Sequence, residues 1–188
     1  MNHREQLIDA ALSVYAELGS RGATTRRIAE VAGVNEVTLF RHFGSKEALI
    51  REALDQCAGR ALAIRLPAQP GDPRADLLAF CLSHHRGMFQ MRSLIRKSMA
   101  EFEERPEVMA MARRITNGVQ QEVRDYLDRL REAGLARGPW TTPTATSMLL
   151  GVVFADAVGR DCMPEHYPQP AAESVADYVE LFVRAITT

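Results

Sequence analysis

A chain of 188 residues has room for one large domain or two small ones, and its 46% hydrophobic and 25% charged residues exclude wholesale disorder. The formal net charge of −1 excludes a basic coat over the whole surface, so any nucleic-acid contact is local. Three cysteines without a Cys-x-x-Cys spacing favour a reducing compartment over a disulfide framework.

The N-terminal residues predict a helix rather than a targeting segment. MNHREQLIDA carries charges where a secretory signal peptide needs an apolar run, and Leu7, Ala11 and Val14 follow at helical spacing up to a stop at Gly19. The longest apolar run, 148–155, is too short to span a bilayer. We therefore expect a cytoplasmic protein without a membrane partner.

A helix-turn-helix is predicted for 24–43, TTRRIAEVAGVNEVTLFRHF. Thr24 or Thr25 is a suitable N-cap for a first short helix, and Asn35 for a second. Gly33 between them can supply the positive φ of a sharp turn. In such a unit the second helix lies in the DNA major groove, with its N-terminal residues on base edges.

Basic charge is concentrated in the same part of the chain. From 21 to 46 there are five Arg or Lys residues against two Glu, a local charge of +3, so the other residues carry −4 of the total of −1. Arg26 and Lys46 stand near helix starts, where free backbone N–H groups favour phosphate. The alternative, an ordinary corner between two helices, leaves this clustering of basic side chains unexplained.

The remainder of the chain also has helical periodicity, without strand-like alternation, so the predicted fold class is all-α. Ser45 can cap a helix that continues to 61, and a Pro- and Gly-rich loop follows at 66–76. Pro106 is a suitable first residue for a long helix that ends near Glu132. The last two predicted helices cover 143–161 and 171–187.

The segment TTRRIAEVAGVNEVTLFRHFGSKEAL, preceded by LIDAALSVYAELGSRGA, resembles the N-terminal domain of the TetR family of bacterial transcriptional repressors. The resemblance implies a three-helix helix-turn-helix DNA-binding domain over 1–48 and a helical effector-binding and dimerisation domain over 49–188. It implies a ligand-responsive repressor that binds a near-palindromic double-stranded DNA operator as a homodimer. A small-molecule effector would release it from the operator.

Carried over residue by residue, the resemblance also implies the DNA contacts. Thr25 and Arg26 would contact phosphate, and the groove-facing residues would include Glu36, whose carboxylate can accept from cytosine N4. Phe40 stands where the family usually has Tyr, so a hydroxyl contact to phosphate is lost. The predicted DNA-binding residues are Thr25, Arg26, Asn35, Glu36, Val37, Thr38, Phe40, Arg41, His42 and Lys46.

Two helical faces near the C-terminus are candidates for the dimer interface. The first has a small residue at every fourth position, which allows a partner helix to approach closely, and consists of Ser147, Gly151, Ala155 and Gly159. The second has the spacing of a helix-packing seam and consists of Val175, Val179, Phe182 and Ile186. The alternative for both faces is burial within one chain.

The effector pocket is the least defined prediction, because apolar helical residues look alike whether they contact a ligand or each other. In CLSHHRGMFQM, 81–91, the Cys-x-x-His spacing has no matching second pair, so no metal site is predicted. A hydrogen-bonded core histidine is the alternative for His85, and core filling is the alternative for the methionines. The pocket candidates are Cys81, His85, Met88, Met99, Phe102, Met111 and Ile115.

The rival functional class is an enzyme or a small-molecule carrier with a basic corner. The sequence contains no His-Glu-x-x-His, no Gly-rich phosphate loop and no Gly-x-Ser-x-Gly, so no catalytic residue and no cofactor are predicted. An architectural DNA binder without sequence preference is disfavoured by the net charge. Substitution of Thr38 and Arg41 would abolish the sequence preference of a regulator and leave the ligand binding of a carrier unchanged.

Overall fold

The computed structural model of the chain describes residues 2–188, apart from the side chain of Glu107. Over this range the chain forms nine α-helices, one short 3-10 helix at Pro164–His166 and no strand, so the predicted all-α fold class is confirmed. Among the described residues, no helix is long and apolar enough to cross a membrane. The helices are α1 His3–Gly22, α2 Thr25–Ala32, α3 Glu36–Phe43, α4 Lys46–Leu62, α5 Pro73–Gln90, α6 Arg92–Ala100, α7 Pro106–Glu132, α8 Thr142–Gly159 and α9 Ala171–Thr187.

The chain folds as two compact units. The first contains the residues up to Arg60 together with Ser93–Ala112, and the second contains Ala61–Arg92 together with Arg113–Thr188. The predicted division between 48 and 49 falls inside α4, which is a continuous helix. The two units are divided at other places in the chain, after Arg60, Arg92 and Ala112, so they do not coincide with the predicted domains. The assignment of DNA binding to 1–48 and of effector binding to 49–188 stays a prediction.

The first unit contains a helix that is broken near its C-terminus. Gly19 of α1 has φ 69°, a left-handed conformation that glycine adopts without steric cost, and it interrupts the helix where the sequence predicts a stop. Leu7, Ile28 and Leu39 are each 0% exposed and come from α1, α2 and α3. These three helices contact one another and share one core.

A carboxylate from residues 93–112 is bound at this break. The Tyr15 hydroxyl donates to Glu101 Oε2 at 2.6 Å, and the Ser20 backbone N–H donates to Glu101 Oε1 at 3.0 Å. Arg105 adds an ion pair at 3.3 Å. Burial opposes the charged form, but the hydrogen bonds from Ser20, Tyr15 and Arg105 outweigh it and lower the pKa of Glu101.

The second unit packs α5, α8 and α9 around a core that includes the C-terminal part of α7. α5 begins at Pro73, directly after Asp72, whose side chain accepts from the backbone N–H of Arg74 at 2.9 Å. Leu77 and Leu127, from α5 and α7, are 0% exposed in this core. The predicted long helix from Pro106 to Glu132 is present as α7.

A second carboxylate lies inside the core of this unit. Asp156 on α8 is 0% exposed; Tyr178 of α9 donates to it at 2.9 Å and Arg160 forms an ion pair with it at 2.6 Å. His85 Nε2 of α5 lies 2.8 Å from the same carboxylate. Burial opposes ionisation, but hydrogen bonds from Arg160, His85 and Tyr178 hold the pKa of Asp156 below its usual value. The carboxylate therefore links three helices.

Candidate nucleic-acid interface

Side-chain caps set the positions of α2, α3 and α4. The side chain of Thr24 accepts from the Arg27 N–H at 3.2 Å, and that of Asn35 accepts from the Val37 N–H at 2.9 Å. Ser45 Oγ accepts from the Ala48 N–H at 3.1 Å. All three caps were expected from the sequence, because each bond joins residues two or three positions apart.

The turn between α2 and α3 has the glycine geometry that the sequence predicts. Gly33 has φ 68° and ψ 31°, and its N–H bonds to carbonyls of the last turn of α2. The next N–H, of Val34, bonds to Ala29 O at 3.0 Å, which completes a left-handed helix end. Ala29 is 2% exposed, so its small side chain permits the two helices to pack closely. The short helix, turn and second helix form a helix-turn-helix.

The outer face of α3 is open to solvent and has a free cation. Val37 is 71% exposed and Phe40 is 49% exposed, while Thr38 and His42 are half-buried. Within the part of the chain that the structure describes, Arg41 has no hydrogen-bond or ion-pair partner. An unpaired guanidinium beside exposed apolar groups can contact a base edge or a phosphate.

On α2, one of two adjacent arginines is free. Arg26 is exposed and, like Arg41, has no partner among residues 2–188. Arg27 is paired with Glu30 at 3.1 Å, and the sequence prediction does not include it in the DNA-binding set. The predicted phosphate contact at Arg26 therefore has an available side chain.

Other predicted DNA-binding residues already have partners. The Thr25 hydroxyl donates to Glu36 Oε2 at 2.7 Å, so Glu36 is held by a residue of α2. The side-chain oxygen Oδ1 of Asn35 accepts from the Val37 N–H in the helix cap, which leaves the side-chain NH₂ group for a DNA contact. Lys46 Nζ donates to Ser20 O at 3.4 Å, so a phosphate contact by Lys46 requires that this long bond be exchanged.

The seven predicted pocket residues are divided between the two units. Cys81, His85, Met88 and Ile115 belong to the second unit, and Met99, Phe102 and Met111 belong to the first. Cys81 is 0% exposed, and burial raises the pKa of its thiol to about 12. His85 has the hydrogen bond to Asp156 that the core-histidine alternative requires. The pocket stays a prediction for the other five residues.

The two predicted dimer faces differ in their exposure. On α8, Ser147, Gly151 and Ala155 are exposed and Gly159 is half-buried, so this ridge is open in the single chain.

The predicted seam on α9 is buried within the single chain, as the alternative interpretation of this face expects. Its four residues lie in the core of the second unit, with exposures of 0% for Val175 and Val179, 8% for Phe182 and 2% for Ile186. Apolar residues at helical spacing pack in the same way against a neighbour in the chain or against a partner, and here they pack within the chain. The large exposed apolar residue of α9 is Leu181, at 67%.

Sequence reasoning missed three contacts that shape the two units. They are the hydrogen bond from Thr25 to Glu36, the set of donors around Glu101, and the buried carboxylate of Asp156. Asp156 had a signal in the sequence, because an acidic residue that directly follows the apolar run 148–155 needs a buried partner. The bond from Thr25 to Glu36 joins residues 11 positions apart, and the bond from Tyr15 to Glu101 joins residues 86 positions apart, so no helical spacing in the sequence indicates either one.

Comparisons with known proteins agree with this geometry. Residues 7–53 match the family model described as bacterial regulatory proteins, tetR family. The chain is 29% identical over 184 residues to YvkB of Bacillus subtilis, an uncharacterised HTH-type transcriptional regulator. The matched segment covers 97% of this chain and 96% of YvkB. It is 32% identical over 90 residues to the class D tetracycline repressor of Escherichia coli. That match covers 48% of this chain and 41% of the repressor.

A solved structure extends the likeness to the whole fold. The regulator FadR of Bacillus subtilis, solved in complex with stearoyl-CoA, has a TM-score of 0.75 to this chain at 19% identity, and the match covers 97% of this chain and 98% of FadR. At this identity the likeness concerns the fold alone. The matched segment 7–53 contains the whole helix-turn-helix, and the relatives are transcriptional regulators rather than enzymes. Residues 7–53 are therefore identified as a DNA-binding segment of the tetR family of bacterial regulatory proteins, and the chain is similar over nearly its whole length to a transcriptional regulator.

Proposed function

We propose that the protein is a ligand-responsive repressor that acts in the cytoplasm and binds a near-palindromic operator as a homodimer. The observation that carries the proposal is the outer face of the helix-turn-helix, where Arg26 and Arg41 are unpaired among the described residues and Val37 is 71% exposed. Both guanidinium groups lie on the two helices of the helix-turn-helix, where they are available to phosphate or to a base edge. The similarity to the class D tetracycline repressor supports repression, rather than activation, as the effect on transcription.

The DNA contacts follow from which groups are available. Arg41, Val37 and Thr38 would face the major groove from α3, while Arg26 and the backbone N–H groups at the start of α2 would bind phosphate. His42 and Lys46 would bind the DNA backbone. Phe40 and Asn35 would contact DNA at the edge of the interface. Phosphate contacts give affinity that falls steeply with salt, whereas base contacts give sequence preference.

The exposed face of α8 supports a homodimer. Ser147, Gly151 and Ala155 form a ridge of small residues, and beside it Met148 is 65% exposed and Phe154 is 36% exposed. An exposed apolar patch with a ridge of small residues is typical of a helix-packing surface. A two-fold dimer would present two recognition helices to two half-sites, and the operator would then be near-palindromic.

A small-molecule effector would bind in the helical body and release the operator. FadR was solved with stearoyl-CoA, and this likeness of fold supports a small-molecule site here. Cys81 is buried and His85 is bonded to Asp156, so the candidates that remain are Met88 and Ile115 in the second unit and Met99, Phe102 and Met111 in the first. The effector shifts the equilibrium only by its differential affinity for the DNA-binding and released states.

DNA selection tests the proposal. Purified protein is incubated with random double-stranded DNA and with host genomic fragments at rising salt, and the bound fragments are sequenced. We expect one near-palindromic sequence whose affinity falls with salt while its preference over other sequences survives. Recovery of no preferred sequence at moderate salt would overturn the proposed function and direct attention to a carrier role of the helical body.

A further inference from the structure

The first residues of α2 and α3 are joined by a short hydrogen bond. Thr25 opens α2, Glu36 opens α3, and the Thr25 hydroxyl donates to Glu36 Oε2 at 2.7 Å. The bond spans the turn and links the two helix starts that are closest to DNA in a helix-turn-helix. Both side chains are partly accessible, so the pair lies on the surface of the unit rather than in its core.

This bond is not required for either helix to begin. α2 is capped by Thr24 through the Arg27 N–H, and α3 is capped by Asn35 through the Val37 N–H. The turn itself is closed by backbone bonds at Gly33 and Val34. The pair between Thr25 and Glu36 is therefore additional to a complete set of local bonds, and its effect is on the Glu36 side chain.

When the Thr25 hydroxyl holds Glu36, one of the two carboxylate oxygens stays available as an acceptor. Oε2 accepts from Thr25, while Oε1 has no hydrogen-bond partner within residues 2–188. A carboxylate on a DNA-binding face is repelled by phosphates, so its presence is favourable only where DNA supplies a donor. In the major groove, cytosine N4 is such a donor; guanine presents two acceptors, and adenine places N7, an acceptor, beside its amino group.

We infer that Thr25 is a positioning residue which holds Glu36 so that its free carboxylate oxygen reads one cytosine in each operator half-site. The inference rests on the proposed operator binding and names the base that this position selects. Without the Thr25 hydroxyl, the flexible Glu36 side chain would have to be ordered on binding, and part of the discrimination would be lost.

The same bond reassigns the role of Thr25 at the phosphate backbone. Its hydroxyl has one proton and donates it in the hydrogen bond to Glu36, so the side chain cannot also donate to a phosphate oxygen. The backbone N–H groups of Thr25 and Arg26 precede the capped N–H of Arg27 and remain available at the helix start. The phosphate contact of Thr25 is therefore made by the main chain.

Base preference tests this inference more directly than affinity. The full-length protein and the variants Glu36→Gln, Thr25→Val and Thr25→Ser are compared by DNA selection and by competition with operators that carry each base in turn. We expect Glu36→Gln to change the preference at one position per half-site from cytosine towards adenine, since an amide pairs with adenine N6 and N7. Thr25→Val should reduce the cytosine preference at that same position about tenfold, and Thr25→Ser should retain it.

Two controls separate positioning from loss of structure. Glu17→Gln removes a charge from an exposed residue of α1 outside the interface and should leave the whole preference unchanged. Far-UV circular dichroism and thermal melting of each variant should match the unsubstituted protein, because the caps at Thr24 and Asn35 are intact.

The outcomes distinguish this inference from the proposed function. If Glu36→Gln or Thr25→Val weakens binding equally for every base, the pair is only structural and the inference is overturned while operator binding stands. The same holds if Thr25→Ser behaves as Thr25→Val does, because the hydroxyl would then have no part in the preference. If the unsubstituted protein selects no sequence, both the proposed function and the inference fail.

Discussion

At the scale of single residues, the candidate interface depends on which charges are already neutralised. Arg26 and Arg27 are adjacent on α2, yet Arg27 is paired with Glu30 at 3.1 Å and Arg26 has no partner within residues 2–188. On α3, Arg41 is likewise free in the described part of the chain. A net charge of −1 therefore coexists with a DNA-binding face, because the free cations and not the total charge determine the local attraction.

Replacement of Arg41 should separate DNA binding from folding. We expect Arg41→Ala to weaken binding to the selected operator by about 1–3 kcal/mol, because a guanidinium contact to a base edge is lost. The free energy of unfolding should change by less than about 0.5 kcal/mol, because the side chain is exposed and unpaired. Fluorescence anisotropy with labelled operator and urea unfolding measure the two quantities.

Arg27→Ala is the matched control for this prediction. It removes the same side chain from an exposed position whose charge is already paired with Glu30. Its operator affinity should fall much less than that of Arg41→Ala. Equal losses in the two variants would mean that the protein responds to total basic charge, and the assignment of Arg41 to the groove would be contradicted.

At the scale of elements, several helix caps could be predicted from sequence, and the contacts between helices could not. One boundary also differs, because α5 begins at Pro73, inside the predicted loop 66–76. The caps at Thr24, Asn35 and Ser45 join residues two or three positions apart, so the sequence pattern contains all the information they need. Two of the donors to Glu101, Ser20 and Tyr15, lie 81 and 86 positions away, and no local pattern connects them to it. The helical spacing on α9 was also read correctly, but spacing does not distinguish burial within the chain from burial against a partner.

The carboxylate of Glu101 should contribute to stability in a pH-dependent way. Its pKa is lowered in the folded state, so its contribution is present above the ordinary carboxyl pKa and is lost as the pH falls through the folded value. We expect Glu101→Gln to lower the free energy of unfolding by about 1–2 kcal/mol at pH 7, because the amide has one acceptor oxygen where the carboxylate has two, so the bond from Tyr15 or the bond from Ser20 is lost. The difference from the unsubstituted protein should shrink towards acidic pH. Urea unfolding over a pH series measures it.

Glu104→Gln is the control for Glu101. Glu104 and its partner Arg21 are 3.3 Å apart and largely exposed, with side-chain exposures of 70% and 91%, so their pair should contribute little. A pH-independent loss in Glu101→Gln, equal at neutral and acidic pH, would show that packing rather than charge explains the effect of that substitution.

The buried carboxylate of Asp156 should be the more costly of the two to remove. Asp156→Asn keeps the size of the side chain but leaves Arg160 and His85 without an anionic partner in a site that is 0% exposed. Removal of one partner from a buried ion pair costs about 3–5 kcal/mol, and we expect a loss of this size in urea unfolding. Asp161→Asn, whose partner Arg92 lies at 2.7 Å on a more exposed surface, should cost less than about 1 kcal/mol. Similar losses would contradict the importance of burial.

At the scale of the whole molecule, the proposed repression from a near-palindromic operator requires a second copy of the chain. One chain offers a single recognition helix, and a near-palindromic operator needs two that are related by a two-fold axis. Four predicted α9 residues are buried within the chain. The surfaces that stay exposed are the α8 ridge with Met148 and Phe154 beside it, and Leu181 on α9. The dimer prediction therefore depends on α8 more than the sequence pattern suggested.

Gly151 provides the sharpest test of that surface. A Cβ added at Gly151 meets no heavy atom within 4 Å apart from its own helix backbone, so Gly151→Gln should fold as well as the unsubstituted protein and gain some helix propensity. In a dimer packed through the small residues of α8, the larger side chain would hold the two helices apart. We expect light scattering after size exclusion to show a folded monomer, with a corresponding loss of operator affinity, because each half-site would be bound separately.

Gly87 offers a matched position on another helix. It lies on α5, is exposed, and also has no atom within 4 Å of an added Cβ, so Gly87→Gln makes the same chemical change away from the proposed interface. This variant should remain dimeric and bind the operator normally. If Gly151→Gln also remains dimeric, the α8 ridge does not form the interface, and the two-fold axis would have to pass through another surface of the chain. If both variants become monomeric, the loss reflects a general effect of the added side chain rather than contact through α8.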